Sequence, residues 1–148
     1  MIALGVPRNA AIPANADPEY FDPGLCRPLR TDFAGRKEYC GLFRTPSLRN
    51  VATRHRFFHN GVFHSLNDVV AFYVTCDTDP GRWDPKRADG TIAVFDDLPA
   101  AYRDNLNRDP PFGGHPGDPP ALDNAEIDAI VALLGTLTDG WHPAKGHR

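Results

Sequence analysis

No stretch of the 148-residue chain approaches the roughly 20 consecutive apolar residues that a helix needs to cross a bilayer. Membrane-spanning helices are therefore not expected. Positive charge is also scarce: 16 Lys and Arg against 19 Asp and Glu leave a net charge of -3. No basic cluster is dense enough to suggest a nucleic-acid footprint. The N-terminus, Met1-Ile2-Ala3-Leu4-Gly5-Val6-Pro7, has neither the basic region nor the apolar length of a signal peptide. Read literally, that means cytoplasmic; read as part of a longer protein, it says nothing about compartment. Cysteine is sparse, and with only Cys26, Cys40 and Cys76 at least one thiol stays unpaired. Cys26 and Cys40 bracket a loop containing Pro and Gly. A disulfide there would contribute up to about 3 kcal/mol in an oxidising compartment, the alternative being three buried free thiols.

The length gives room for one domain, 1–148, with a real hydrophobic core. Hydrophobic residues at 41% and charged residues at 24% are ordinary for a globular chain. Proline and glycine are not: 15 and 13 residues exceed the usual combined share of roughly 12%, so much of the backbone should run in ordered loops. Residues 1–42 carry turn language and no lasting periodicity, yet are too apolar for disorder; they are expected to wrap a helical core formed by 43–148. A first helix is expected over 65–76, where Ser65 and Asp68 resemble a capping box and Leu66, Val69, Val70 and Tyr73 share one face. A short helix is plausible over 99–107, and Thr91–Phe95 reads as one short strand. The strongest pattern covers 123–138: Asp123 and Glu126 form a capping box, Ile127, Ile130, Val131, Leu134 and Leu137 form a stripe, and Gly140 stops it. The expected fold class is all-α and loop-rich. A chain with so few helices for its length usually has something other than helix packing at its centre.

The chemically loaded stretch is Phe43-Arg44-Thr45-Pro46-Ser47-Leu48-Arg49-Asn50-Val51, followed by Phe57-Phe58-His59-Asn60-Gly61 and the Ser65 helix. Thr-Pro-Ser-Leu-Arg-Asn, a His-Asn-Gly loop, a helix reading Val-Val-Ala-Phe-Tyr and a closing helix ending Leu-Gly-Thr-Leu-Thr-Asp-Gly together resemble the C-terminal haem domain of bacterial di-haem cytochrome c peroxidases. The similarity covers roughly 5–141 and implies a cytochrome c-like fold around haem c in a periplasmic parent. In most of that family a Met fourteen residues after the loop His is the sixth iron ligand. Counting from His59 lands on Tyr73, which is similar to the MauG branch, where Tyr takes that place. A phenolate favours ferric and higher states, whereas a thioether favours ferrous iron. The alternative is that Tyr73 only continues the apolar stripe.

His59 could hold its loop by a backbone hydrogen bond, ligate a metal or sit at the haem edge; the resemblance puts it near the haem or its propionates, not on the iron. Pro46 would pack on the macrocycle. Arg49 would pair with a haem propionate, or else form a surface salt bridge. Backbone carbonyls at Arg54 and Arg56 correspond to calcium ligands of the family, in a poor, doubly cationic setting. His55, His64, His115, His142 and His147 show no zinc-site spacing and read as surface residues; Trp83 and Trp141 read as packing anchors.

One departure is large: no Cys-x-x-Cys-His occurs, so covalent haem attachment and the proximal His are missing. The chain reads as a truncated product, a mis-started frame or a cut domain, inactive alone as a peroxidase. Two functions follow. In a full-length parent it would be the electron-transfer haem domain of a peroxidase or MauG-like oxidoreductase. Its partners would then be an N-terminal haem domain and a small electron-transfer protein. Alternatively it is a non-catalytic remnant or interaction domain that does not hold haem by itself.

Overall fold

The computed structural model describes residues 1–26 and 31–140; Trp141, His142 and His147 lie outside that range. Two α-helices are present, α1 over Leu66–Thr75 and α2 over Asn124–Gly135. Short 3₁₀ turns and isolated β-bridges accompany them among the described residues. "All-α" is therefore too strong: the chain is strand-poor and loop-rich with few helices, as its Pro and Gly content demands.

Both helices begin where side chains satisfy their first amides. The Ser65 hydroxyl accepts from Asp68 N–H at 3.3 Å, a one-sided cap. At α2 the box is reciprocal: Asp123 accepts from Glu126 N–H at 2.9 Å, and Glu126 accepts from Asp123 N–H at 2.8 Å. The α2 pattern runs on to 138 in sequence, but the α-helix ends at Gly135. There the Thr136 and Leu137 amides turn to the carbonyls of Leu133 and Leu134, tightening the last turn.

Two other expectations are corrected. Thr91–Phe95 is not a strand: a lone bridge joins Lys86 to Ile92, and Phe95 at φ 59° turns the chain away. The 99–107 helix is a 3₁₀ turn over Ala100–Asn105.

Two core clusters share α1. Phe72, 1% exposed, and Cys76 pack with Val6, Val51, Phe57 and Phe63. On the neighbouring face, Val70, Ala71 and Val74 meet Ile127 of α2, and Asn67 Nδ2 donates to Asp128 Oδ1 at 2.9 Å across the two helices. A third cluster joins Ala3 to Leu98 and Leu106. The N-terminal segment reaches it by pairing Ile2 with Phe43 through amide–carbonyl bonds of 3.0 and 2.9 Å.

Cys26 and Cys40 are disulfide-bonded, Cα atoms 5.0 Å apart, while Cys76 is a buried free thiol. Burial first, then the charge of Asp77, pushes the Cys76 thiol up to about 12, so it stays a neutral core residue. Closing a loop across a separation of 14 residues contributes about 3 kcal/mol. Reductant should lower the urea midpoint correspondingly, with Cys26→Ser/Cys40→Ser matching the reduced protein; an unchanged midpoint would show that the bridge constrains nothing.

Candidate functional site

The face of α1 that reads as its core stripe does something else. Leu66, Val69, Val70 and Tyr73 line a cavity of about 670 Å³, within the roughly 300–1,000 Å³ span of small-molecule and cofactor sites. Ile130 and Leu134 of α2 form another wall, and the loop residues Pro46 and Leu48 a third. Both helices are thus apolar on more than one side because each serves a core and a cavity.

The Thr45–Asn50 loop is held by its far end. Asn50 adopts a left-handed conformation at φ 58°. Its N–H donates to Leu137 O at 3.1 Å, and its side-chain oxygen accepts from Asp139 N–H at 2.9 Å. Arg49 belongs to the same clamp: its Nε donates to Asp139 at 2.7 Å and a second guanidinium nitrogen binds the same oxygen. Arg49 is not among the cavity-lining residues, so the structure places it in a surface ion pair, the second of its two readings.

The next loop is closed by the Phe57–Phe63 bridge. Phe58 sits at φ 62°, an uncommon conformation for a bulky residue that persists only where surroundings enforce it. The enforcement is aromatic: its ring meets Phe63, Phe72 and Tyr73 at centroid distances of 5.4, 5.4 and 5.8 Å.

His59 also lines the cavity. Its imidazole is largely covered, 16% exposed, and stacks on Phe43 at 3.6 Å. Nε2 lies 3.0 Å from Asp97 Oδ2, which also accepts from Asn60 Nδ2 at 2.9 Å. Asn60 further donates to Pro7 O at 2.8 Å, and its carbonyl accepts from Asn9 at 2.8 Å. His59 therefore both holds its loop and borders the cavity. The Asp97–Asn60 hub escaped sequence reasoning, because nothing local marks residues 37 positions apart as partners.

Tyr73 brings the only phenol among the cavity-lining described residues. It is half-buried, packs against Phe58 and Phe112, and makes no hydrogen bond among the described residues. Burial, and secondarily Cys76, raises its pKa above the ordinary tyrosine value, so the phenol is neutral near pH 7. Pro46, Leu48, Val69 and Leu134 line the same cavity.

Arg54 and Arg56 also border it. Arg54 donates to Ser47 O at 3.2 Å and Arg56 lies 2.9 Å from His64 Nε2. His55, His64 and His115 are exposed, and no group of three or more His, Cys, Asp or Glu suited to a metal occurs among the described residues. Trp83 packs edge-on against Phe63 and Phe72 and donates to Thr75 Oγ1 at 2.9 Å, as a packing anchor should.

A strand-poor, loop-rich chain folded around one large apolar cavity, with a phenol and a histidine on its wall, is consistent with a cytochrome c-like haem domain. Methylamine utilization protein MauG of Paracoccus denitrificans is 32% identical over 142 residues, covering 93% of this chain and 33% of that protein. Cytochrome-c peroxidase IdrP1 of Denitromonas iodatirespirans is 49% identical over 45 residues, 30% of this chain and 12% of its own. The crystal structure of the di-haem peroxidase BthA from Burkholderia thailandensis E264 superposes with a TM-score of 0.80 at 48% identity, over 94% of this chain and 33% of that one. No protein-family model matches. The chain is thus related to the bacterial di-haem peroxidase and MauG family, and spans about a third of the length of MauG and BthA. No helix among the described residues is long and apolar enough to cross a membrane.

Proposed function

We propose that this chain is the electron-transfer haem domain of a periplasmic di-haem peroxidase or MauG-like oxidoreductase, in which the Tyr73 phenol oxygen would hold the iron. The observation that carries this reading is the unpartnered phenol of Tyr73 on an apolar cavity of cofactor size. The residues fit the group: aliphatic side chains for a macrocycle's faces, Pro46 for packing, His59 at the edge and arginines for its carboxylates. When bound, haem supplies one-electron redox chemistry at iron. Tyr73 would hold the metal through its phenol oxygen, and would have to give up its proton to do so. Burial, which raises the Tyr73 pKa, keeps that proton on the phenol when the cavity holds no cation. Val69, Leu134 and their neighbours surround the Tyr73 phenol with apolar wall and would keep water from it. The proximal ligand and the peroxide-reacting haem belong in this reading to other parts of a longer protein. A small electron-transfer protein is the redox partner.

The test is a protein extended upstream by a Cys-x-x-Cys-His segment. Its ferric spectrum is expected to be six-coordinate, and Tyr73→Phe should convert it to a high-spin or re-ligated form. An unchanged spectrum in the variant would reduce Tyr73 to a wall residue.

A further inference from the structure

We propose that Asp84, Asp96 and Asn15 form a site for a hard divalent cation in a second cleft, apart from the cavity that Tyr73 lines.

This cleft, of about 420 Å³, is walled on its apolar sides by Pro7, Val62, Trp83 and Pro85. Its other side chains offer oxygen. Asp84 is 6% exposed, and its Oδ1 is buried with no hydrogen-bond partner among the described residues. Asp96 accepts from Arg8 N–H at 2.6 Å through Oδ1, and its second oxygen has no partner among those residues. The side-chain nitrogen of Asn15 donates to Asn9 O at 2.8 Å, which leaves its oxygen free to accept. Two arginines stand near these acids without pairing with them. The Arg8 guanidinium donates to the carbonyls of Asn15, Asp17 and Tyr20, and Arg103 donates to Phe95 O.

A buried carboxylate oxygen without a partner is costly unless a proton or a cation meets it. Asp96 on the same cleft makes one proton an incomplete answer, because it neutralises one acid of two. A divalent ion neutralises both. Carboxylate and amide oxygens, with no nitrogen or sulfur ligand, suit calcium or magnesium rather than zinc or copper. The donors sit on irregular loop backbone, which fits the adaptable coordination of calcium better than the strict octahedron of magnesium. The cleft has room for the waters that complete roughly six to eight ligands. The charges of Arg8 and Arg103 weaken the attraction, so the affinity belongs at the weak end of calcium sites, about 0.1–1 mM.

The experiment uses the 148-residue chain at pH 8, with terbium and calcium as probes. Terbium should emit when tryptophan is excited, because Trp83 lines the same cleft. Calcium should displace it with a Kd of about 0.1–1 mM, and magnesium at least about tenfold less well. Calcium should also raise the urea midpoint further than sodium chloride of equal ionic strength does. Asp84→Asn removes a buried charge and should fold; it should weaken calcium binding at least about tenfold. Asp96→Asn should act alike, while the exposed pair Asp104→Asn/Asp109→Asn should change nothing. In EDTA, Asp84→Asn should be more stable than wild type, and calcium should narrow that gap. An equal calcium response in wild type and Asp84→Asn overturns the site, as does a response that sodium chloride reproduces, or none at all. None of these outcomes touches the haem reading, since the two cavities share no lining residue.

Discussion

Asp84→Asn is expected to stabilise the protein clearly at pH 8 and by a smaller amount at pH 5. Asp84 is 6% exposed, and its Oδ1 is buried without a hydrogen-bond partner among the described residues. Burial first, and the charge of Asp96 second, push its carboxyl up to about 7; the Phe95 amide and Arg103 pull only partly the other way. The unfolded chain releases that proton near the ordinary value of about 3.9. Between about pH 4 and 7 the folded state therefore holds a proton that the unfolded state has lost. Stability must fall as pH rises through this window. The contribution is complete below about pH 4 and gone above 7. Three units correspond to at most about 4 kcal/mol, and solvent relaxation around the partly open site brings the expected loss to roughly 2–4 kcal/mol. Asn cannot ionise, so the variant should lack this slope and keep only the weaker one from Asp96, whose carboxyl is also raised, chiefly by burial. Urea midpoints at pH 5 and pH 8 decide. A variant less stable than wild type at pH 8 would mean that the Asp84 carboxylate has a favourable partner after all.

Asp84 also illustrates what a single sequence hides. Trp83-Asp84-Pro85 reads as loop, and loop carboxylates are ordinarily solvated; its burial comes from segments distant in sequence, among them Pro7 and Val62 around the same small cavity. The helices were legible because their signals are local: a Ser or Asp cap, an apolar spacing, and a stop within one turn. What the apolar stripes face was not. Leu66, Val69 and Tyr73 have the spacing of core residues, and spacing alone does not separate a core from a cavity wall. The Thr45–Asn50 loop and the Tyr73 position were legible through family resemblance, fourteen residues after His59. Arg49 shows the limit of that route, since its partner Asp139 is 90 positions away in the closing Leu-Gly-Thr-Leu-Thr-Asp-Gly stretch, and nothing in either segment marks the two as partners. The strand at Thr91–Phe95 failed for a local reason. β-branched residues favour extended backbone, but Asp89 caps the Thr91 amide and hydroxyl at 2.9 and 2.7 Å. The chain then leaves pairing at Phe95.

Phe72→Ala should destabilise the protein by about 3–5 kcal/mol, the usual cost of emptying a buried phenylalanine site. Phe72 is 1% exposed, and its ring contacts Phe58, Phe63 and Trp83 at 5.4, 5.1 and 5.8 Å. Rings that touch one another on several sides close poorly around a gap, so the upper half of that range is expected. With total stabilities of about 5–15 kcal/mol, a loss of that size at the lower end leaves too little folded protein to measure; Phe72→Leu, expected near 1–2 kcal/mol, keeps the test quantitative. Val69→Ala is the informative comparison. It sits one turn earlier on the same helix but on the cavity side, half-buried, so its removal should cost about 1 kcal/mol. The two variants should then separate in a second measurement. Val69→Ala should weaken porphyrin binding by removing wall contact, while Phe72→Leu should spare it as long as α1 stays docked. Equal stability losses at the two positions would mean that the cavity side of α1 is packed as tightly as its core side, and that the space beside Tyr73 does not persist in solution.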